Sequence, residues 1–338
     1  MRRSVWRYVA LRIVAIVPVL LGTSIVTFAL THVLGNPVYA MLGAFATPSS
    51  VAETTHQLGL DRPLWEQYVT YLGGLLHGDL GTSLYTGRPV LEDLAARFPI
   101  TLQLIGIALF LAMFVGVTLG LLAAWNRNSW LDRVVRTITV TSISIPSFWL
   151  ALILIYFFFF RLHLAPAPIG QLPISVEAPP IRTGMLLVDS LLAGDMPAFW
   201  ASAGQLVLPA IAVAIGVLGP ITQQTRTAAV EVLDSEFIYY ARSCGLPRTR
   251  IARYVVRNAL APVLTLAGVL LGLLVGGAAL VEFVFSWGGI GQYGVQAMVQ
   301  NDIPAIQGVV QLTAAFSIMI YLLVDLLHLA LDPRVAYT

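Results

Sequence analysis

Between Arg97 and Arg127 the chain reads Phe98-Pro-Ile-Thr-Leu-Gln-Leu-Ile-Gly-Ile-Ala-Leu-Phe-Leu-Ala-Met-Phe-Val-Gly-Val-Thr-Leu-Gly-Leu-Leu-Ala-Ala-Trp-Asn126, without one charged side chain. About 20 mostly apolar residues in helix cross the hydrocarbon core of a bilayer, so this stretch is long enough to span it. Five other runs share its character. They lie between Arg12 and His32, Arg136 and Arg161, Asp195 and Arg226, Arg257 and Glu282, and Asp302 and Asp325. An arginine at the bilayer centre costs about 2.5–3.5 kcal/mol on insertion scales, so charges that fall only between the runs mark the runs as spans. The pattern predicts an all-α integral membrane protein of about six transmembrane helices, over residues 11–31, 99–124, 137–160, 205–225, 259–281 and 304–326.

Composition points the same way. Of 338 residues, 58% are apolar and 11% charged, against roughly 25% charged in soluble domains. A net charge of +2 gives no support to nucleic-acid binding. The single cysteine, Cys244, excludes an intrachain disulfide framework and an all-cysteine metal site. The basic start at Arg2, Arg3 and Arg7 raises a cleaved signal peptide as an alternative for the first run. That run exceeds the usual signal core of roughly 7–15 residues and no small-residue cleavage site follows, so it reads as a retained helix.

Arginine placement sets the orientation. Every one of the 19 basic residues is arginine. With a cytoplasmic N-terminus, Arg62, Arg88, Arg97, Arg161 and Arg182 fall outside and the other 14 inside. That excess predicts both termini in the cytoplasm.

The loops are unequal. After the first run comes a long outer segment, to about residue 95, in which Asp61 and Pro63 can start a helix. Leu64, Tyr68, Leu72 and Leu75 give that helix an apolar stripe, and Gly78, Gly81 and Gly87 break it. This segment reads as a cap on the outer face, or as a docking surface for an external partner. A second outer segment, about 161–204, is rich in proline and ends in a short amphipathic stretch from Met185 to Leu192, which suits the interface.

Between the fourth and fifth spans, residues 229–258 carry the pattern Glu236-Phe-Ile-Tyr-Tyr-Ala-Arg-Ser-Cys-Gly-Leu246, then Ile251 and Arg257-Asn-Ala-Leu-Ala-Pro262. The spacing predicts two helices with a break. Phe237, Tyr240, Ala241 and Cys244 fall on one face. Glu236 sits where a carboxylate suits the helix dipole. Gly245 can cap the first helix and Pro247 blocks its continuation. Physically this is an amphipathic loop resting on the inner leaflet, or a short helix offered to the groove of a soluble partner.

These residues resemble the EAA loop of the permease subunits of bacterial ATP-binding-cassette importers. The whole chain is similar to the dipeptide/oligopeptide/nickel type, and to the first of its two permeases. Matching stretches run nearly end to end: Leu60-Asp-Arg-Pro63, Gly78-Asp-Leu-Gly-Thr-Ser83, Ile145-Pro-Ser-Phe-Trp149, Leu206-Val-Leu-Pro-Ala210, Val281-Glu-Phe-Val-Phe-Ser-Trp287, Gly289-Ile-Gly-Gln292 and Leu331-Asp-Pro-Arg334. The chain departs from the family in having Glu236 where aspartate is usual and Cys244 where a basic residue is frequent. Tyr254 and Gln205 stand near positions that often hold histidine.

The resemblance implies a type I importer transmembrane fold, with an N-terminal part at 1–95 and a transmembrane domain at 96–332. It implies a bacterial inner-membrane location and, as partners, a second permease, one or two cytoplasmic ATPases and an external solute-binding protein. It gives ATPase coupling to Glu236, Phe237, Ala241, Arg242, Gly245 and Leu246. Di- and oligopeptides are the implied cargo, with nickel chelates, haem or another solute as alternatives. No cofactor is expected on this chain and no catalysis, because a phosphate loop of the G-x-x-x-x-G-K-[ST] type needs a lysine. ATP and magnesium belong to the ATPase partners.

Ser144, Ser147, Gln223, Gln224 and Thr265 are uncharged polar groups that can line a wet pathway or hydrogen-bond a neighbouring helix. Pro146, Pro209 and Pro220 are expected to kink or end helices, and Gly268, Gly272, Gly276 and Gly277 to let the fifth span pack closely. Two other classes compete. An ion-coupled carrier has Asp325, His328 and Glu282 as its ionisable candidates, all toward span ends. An intramembrane enzyme lacks both H-E-x-x-H and G-x-S-x-G, and His32, His56, His77, His163 and His328 are scattered.

Overall fold

A computed structural model gives the fold. It describes residues 14, 16–29, 38, 47–57 and 59–331. The helices in chain order are α1 (Ile16–Ala29), α2 (Pro48–Gln57), α3 (Leu64–Leu76), α4 (Val90–Trp125), α5 (Trp130–Ser144) and α6 (Ser147–Leu154). A π-helical turn (Ile155–Arg161) follows, then α7 (Leu186–Ala193), α8 (Met196–Leu233), α9 (Glu236–Ser243), α10 (Arg248–Gly277), α11 (Ala279–Val284), α12 (Ile290–Gln300) and α13 (Ile303–Leu331). Among the described residues the only extended pairing is an isolated bridge between Thr82 and Pro89.

Among the described residues, four helices are long and apolar enough to cross a bilayer: α4, α8, α10 and α13. α5 and the stretch Ser147–Arg161, which is α6 with the π-helical turn, are bent by 101° and make a fifth span if the two halves count as one. The apolar α1 lies where the first span is expected. The bend falls inside the expected run at 137–160 and meets the expectation that Pro146 kinks or ends a helix. Pro146 lacks an N–H and pushes Ile145 out of the helical region, where it sits at φ −89°, ψ 121°. Pro209 and Pro220 behave otherwise. α8 runs unbroken through both, contrary to any expectation that they end it. Neighbouring helices and local adjustment make up for proline's missing hydrogen bond within a membrane bundle.

The chain forms two compact units, Met1–Thr101 with Gly288–Thr338, and Leu102–Trp287. In the first, polar side chains tie α1 to α3 and α13. Ser24 Oγ lies 2.8 Å from Tyr68 OH, and Gln311 Nε2 donates to Thr27 Oγ1 at 3.0 Å and to Tyr71 OH at 3.3 Å. The expected helix after Pro63 and the glycine break after it are both present, with Gly78, Gly81 and Gly87 all at positive φ. Asp302 pins the turn that follows: it accepts from Ser83 Oγ at 2.5 Å and from the Tyr85 N–H at 3.2 Å.

In the second unit α8 is the central helix, packed against α5, α6, α7 and α10. Close approach is made at glycines. A Cβ on Gly120 of α4 would lie 2.6 Å from Thr225 Cβ and 2.7 Å from the Thr222 carbonyl oxygen, and one on Gly116 would lie 2.8 Å from Ile221 Cγ2. Gly219 of α8 is as tight against Thr139, Ser142 and Ile143 of α5. The expectation that the fifth span packs closely through Gly277 is not met, since nothing lies within 4 Å of a Cβ there. The Gly116-x-x-x-Gly120 spacing has the small-xxx-small form of membrane helix contacts.

Outside the spans, Asp189 of α7 is buried and accepts from the Thr183 N–H at 2.7 Å, Thr183 Oγ1 at 2.8 Å and the Gly184 N–H at 3.0 Å. Burial pushes its pKa up, but these hydrogen bonds outweigh that and hold the carboxyl below its ordinary value. They brace the stretch that leads into α8.

Because the contact at Gly120 is against backbone, it cannot relax by moving a side chain. Gly120→Val is expected to cost about 1–3 kcal/mol by overpacking, read as a lower unfolding temperature of the purified protein in detergent. Gly277→Val should leave that temperature nearly unchanged.

Candidate functional site

The site is built on α9. Eight residues are too few for a stable isolated helix, so tertiary packing must hold α9 in place. Its anchors are Ile238 and Ala241, one turn apart and both buried. Ile238 joins a cluster containing Ala124 of α4, Ala228 and Ala229 of α8, and Ile251, Val255 and Ala259 of α10, with Leu246 packed against it. The small alanines let four helical segments converge.

The C-terminus of α9 explains the glycine. Cys244 is the last half-helical residue and Gly245 adopts φ +73°. The Leu246 N–H donates to the Ala241 carbonyl at 3.1 Å and the Gly245 N–H to the Arg242 carbonyl at 2.9 Å. This is a Schellman turn, whose left-handed position favours glycine and whose following residue packs back onto the helix. Leu246 supplies that contact, and Pro247 at φ −65° then opens α10. The turn is therefore fixed at both ends.

The outward face of α9 carries Phe237, Tyr240 and Cys244, with Tyr239 beside them. Phe237 is 48% and Tyr240 71% exposed. Here the expected face needs correction: Ala241 does not share it but turns inward with Ile238. The i, i+4 spacing that groups Ala241 with Phe237 cannot by itself tell which side of a short helix meets the bundle. Glu236 lies in the first turn and Arg242 in the last, each suited to the dipole at its end, and both are exposed.

A buried ion pair lies just beneath this seat. Asp132, fully buried at the start of α5, takes Arg226 of α8 in a two-point contact, Nε to Oδ1 at 2.6 Å and Nη2 to Oδ2 at 2.9 Å. The Asn128 N–H donates to the same carboxylate at 3.0 Å, and Arg136 lies 3.8 Å away. Arg226 is two residues before Ala228, so the pair fixes the part of α8 on which α9 rests. A second, exposed pair, Arg127 to Asp234 at 2.7 Å, ties the end of α4 to the end of α8. Exposed pairs of this kind contribute little, about 0–1 kcal/mol. Sequence reading missed Asp132. Its signal is the Ser129-x-x-Asp132 capping pattern, in which Ser129 Oγ accepts from the Asp132 N–H.

The five polar candidates for a pathway are spread over three stretches of the chain. Ser144 and Ser147 flank the bend between α5 and α6, Gln223 and Gln224 lie on α8, and Thr265 on α10. Ser144 Oγ donates to the Val140 carbonyl at 3.0 Å and Thr265 Oγ1 to the Ala261 carbonyl at 3.1 Å, each within its own helix. Glu282 is fully buried on α11, and Asp325 is half-buried on α13. His32 and the side chain of His328 lie outside the described residues. Among the described residues no three metal-ligating side chains converge.

A seated helix between two spans, presenting aromatics and charge on its free side, defines the class. Residues 116–337 match the family described as the binding-protein-dependent transport system inner membrane component, and residues 5–105 match its N-terminal counterpart. The chain belongs to this family of multi-pass inner-membrane proteins. Within it, the chain is 40% identical to the probable D,D-dipeptide transport system permease protein of Escherichia coli (strain K12), over 98% of this chain and 97% of that one. It is 37% identical to the dipeptide transport system permease protein of Alkalihalophilus pseudofirmus, over 98% and 99%. It is 37% identical to the di/tripeptide transport system permease protein of Pseudomonas aeruginosa, over 98% of each.

Removing one partner of a buried ion pair leaves the other charge uncompensated. Asp132→Asn is expected to destabilise the protein by about 1–3 kcal/mol, because the Arg226 left behind is 22% exposed, and Asp132→Asn with Arg226→Gln by less than the sum of the single changes. Thermal unfolding measures the cost. Amide hydrogen exchange across 236–246 should speed up in both single variants.

Proposed function

We propose that this chain is a permease subunit of an ATP-driven peptide importer, forming half of the translocation pathway beside a second, homologous permease. An external solute-binding protein delivers di- or oligopeptides, and cytoplasmic ATPase subunits supply the work. The chain itself is non-catalytic and carries no cofactor; ATP and magnesium sit on the ATPases. Relatives that are named as peptide permeases and match nearly end to end support the cargo. The arginine excess supports cytoplasmic termini, which puts α9 on the side of the ATPases.

The observation that carries the mechanism is the seating of α9. Phe237, with the exposed Tyr240, enters a cleft of the ATPase, while Glu236 and Arg242 orient the contact by charge. Ala241 and Leu246 hold the helix to its own bundle, and Gly245 makes the rigid turn. α10 has 30 residues, about 45 Å at 1.5 Å per residue. A displacement of α9 therefore tilts a whole span instead of being absorbed in a flexible loop. This is the rigid-body class of switching, between inward- and outward-facing states. Ser144, Ser147, Gln223, Gln224 and Thr265 are proposed to supply polar lining to the pathway as it opens.

Two measurements test this reading. Nothing lies within 4 Å of a Cβ at Gly245, and Asp and Asn tolerate left-handed backbone better than other residues. Gly245→Asp should therefore assemble, yet lose uptake and substrate-stimulated ATPase activity by about tenfold or more, the scale of a coupling free energy of 1–3 kcal/mol. Gly245→Asn, without the charge, should lose less. Cys244 is exposed and is the only cysteine, so a thiol cross-linker placed there should capture an ATPase subunit. Capture of phospholipid alone, or normal uptake by Gly245→Asp, overturns the coupling role.

A further inference from the structure

We infer that the unit formed by Met1–Thr101 and Gly288–Thr338 holds one acyl chain of a bilayer lipid in a built groove. A cavity of about 610 Å³ lies between α1, α3, the start of α4 and α13. Leu20 of α1, Leu72 and Leu75 of α3, Leu94 and Phe98 of α4 and Leu312 of α13 line it, and no lining residue is charged. Its one amide-bearing wall residue, Gln311, is already committed. Its Nε2 donates to Thr27 and Tyr71, and its Oε1 accepts from Thr23 Oγ1 at 3.4 Å. The groove therefore offers a guest only apolar contact, and apolar cavities of this kind stay dry or take apolar ligands.

Size selects the occupant. A helix about 10 Å across fills roughly 80 Å³ per ångström of length, so this volume accepts about five residues of helix. That is too little to seat a span from another subunit. A methylene group is about the size of a water molecule, whose share of liquid volume is roughly 30 Å³. The groove then holds about 20 such groups, the content of one long acyl chain.

Position agrees with size. Val14, Ile25 and Val26 of the α1 region are more than half exposed on this chain of an inner-membrane family, an apolar surface suited to lipid. Val17 and Leu21 on the same helix form the rim of the groove, with Leu76 opposite at 79% exposure. The rim continues that apolar surface inward. Transfer from water is not the driving force here, because the chain already lies in hydrocarbon. The gain is the dispersion contact that an empty cleft forfeits.

The test uses the assembled importer in nanodiscs of phosphatidylethanolamine and phosphatidylglycerol, with a trace of phosphatidylethanolamine bearing a diazirine on one acyl chain. After photolysis, peptide mapping should place label on Leu94, Phe98 or Leu312, saturating near one lipid per chain. Ala95→Trp, which fills the groove, should cut that label about tenfold while label at Val14 and Ile25 persists. If the variant fails to assemble, competition by excess unlabelled lipid in the unaltered chain gives the same reading: groove label that saturates supports the site. Label confined to Val14, Ile25 and Val26, or groove residues cross-linked to another polypeptide, overturns it.

Discussion

A protein surrounded by hydrocarbon gains nothing by burying leucine against leucine, since lipid is as apolar as its core. Its helices must be held by close approach and by polar contacts that lipid cannot match. In the unit Leu102–Trp287 this constraint falls on α8. Gly116 and Gly120 bring α4 onto it, and Gly219 brings it onto α5, each with backbone within contact distance of a neighbour. The Asp132–Arg226 pair adds a fixed charge contact about two turns beyond Gly219. Once α8 is placed, Ala228 and Ala229 are placed, and with them the floor on which α9 sits.

That dependence makes a short helix useful. Alone, α9 would fray, and its exposed aromatic face would have no defined direction. Seated through Ile238, Ala241 and Leu246, it presents Phe237 and Tyr240 at a set angle to the bundle. The Schellman turn at Gly245 passes that angle on to α10 without a flexible linker. Rigidity on the inner side and exposure on the outer side are what a transmitted push needs. Close-packed interiors do not deform continuously, so a displacement passed to such elements is carried by whole bodies.

Much of this was legible in the sequence, and the limits are physical. Charge-free runs gave four long spans directly, because insertion cost is a per-residue property that context hardly alters. The helix after Pro63, the glycine breaks after it and the stop at Gly245 were legible too, since each depends on the backbone preferences of one residue. Proline was read in part: the break at Pro146 was expected, the continuity through Pro209 and Pro220 was not. Pro146 breaks its helix while Pro209 and Pro220 do not, and the difference lies in what neighbours supply, which no local pattern records. The facing of Ala241 and the choice of Gly116, Gly120 and Gly219 over Gly277 as contact points also belong to tertiary packing. Asp132 looked like one charge of a short loop, and only the fold brings Arg226 to it from 94 residues away.

The bend between α5 and α6 carries a consequence of its own. An intact helix hides its carbonyls from hydrocarbon, but a right-angled interruption at Ser144–Pro146 leaves those of the last turn of α5 without helical donors. Lipid tails offer no donor in return. Any partner for those carbonyls has to come from protein or from water, so the elbow is the place along this stretch that calls for polar company.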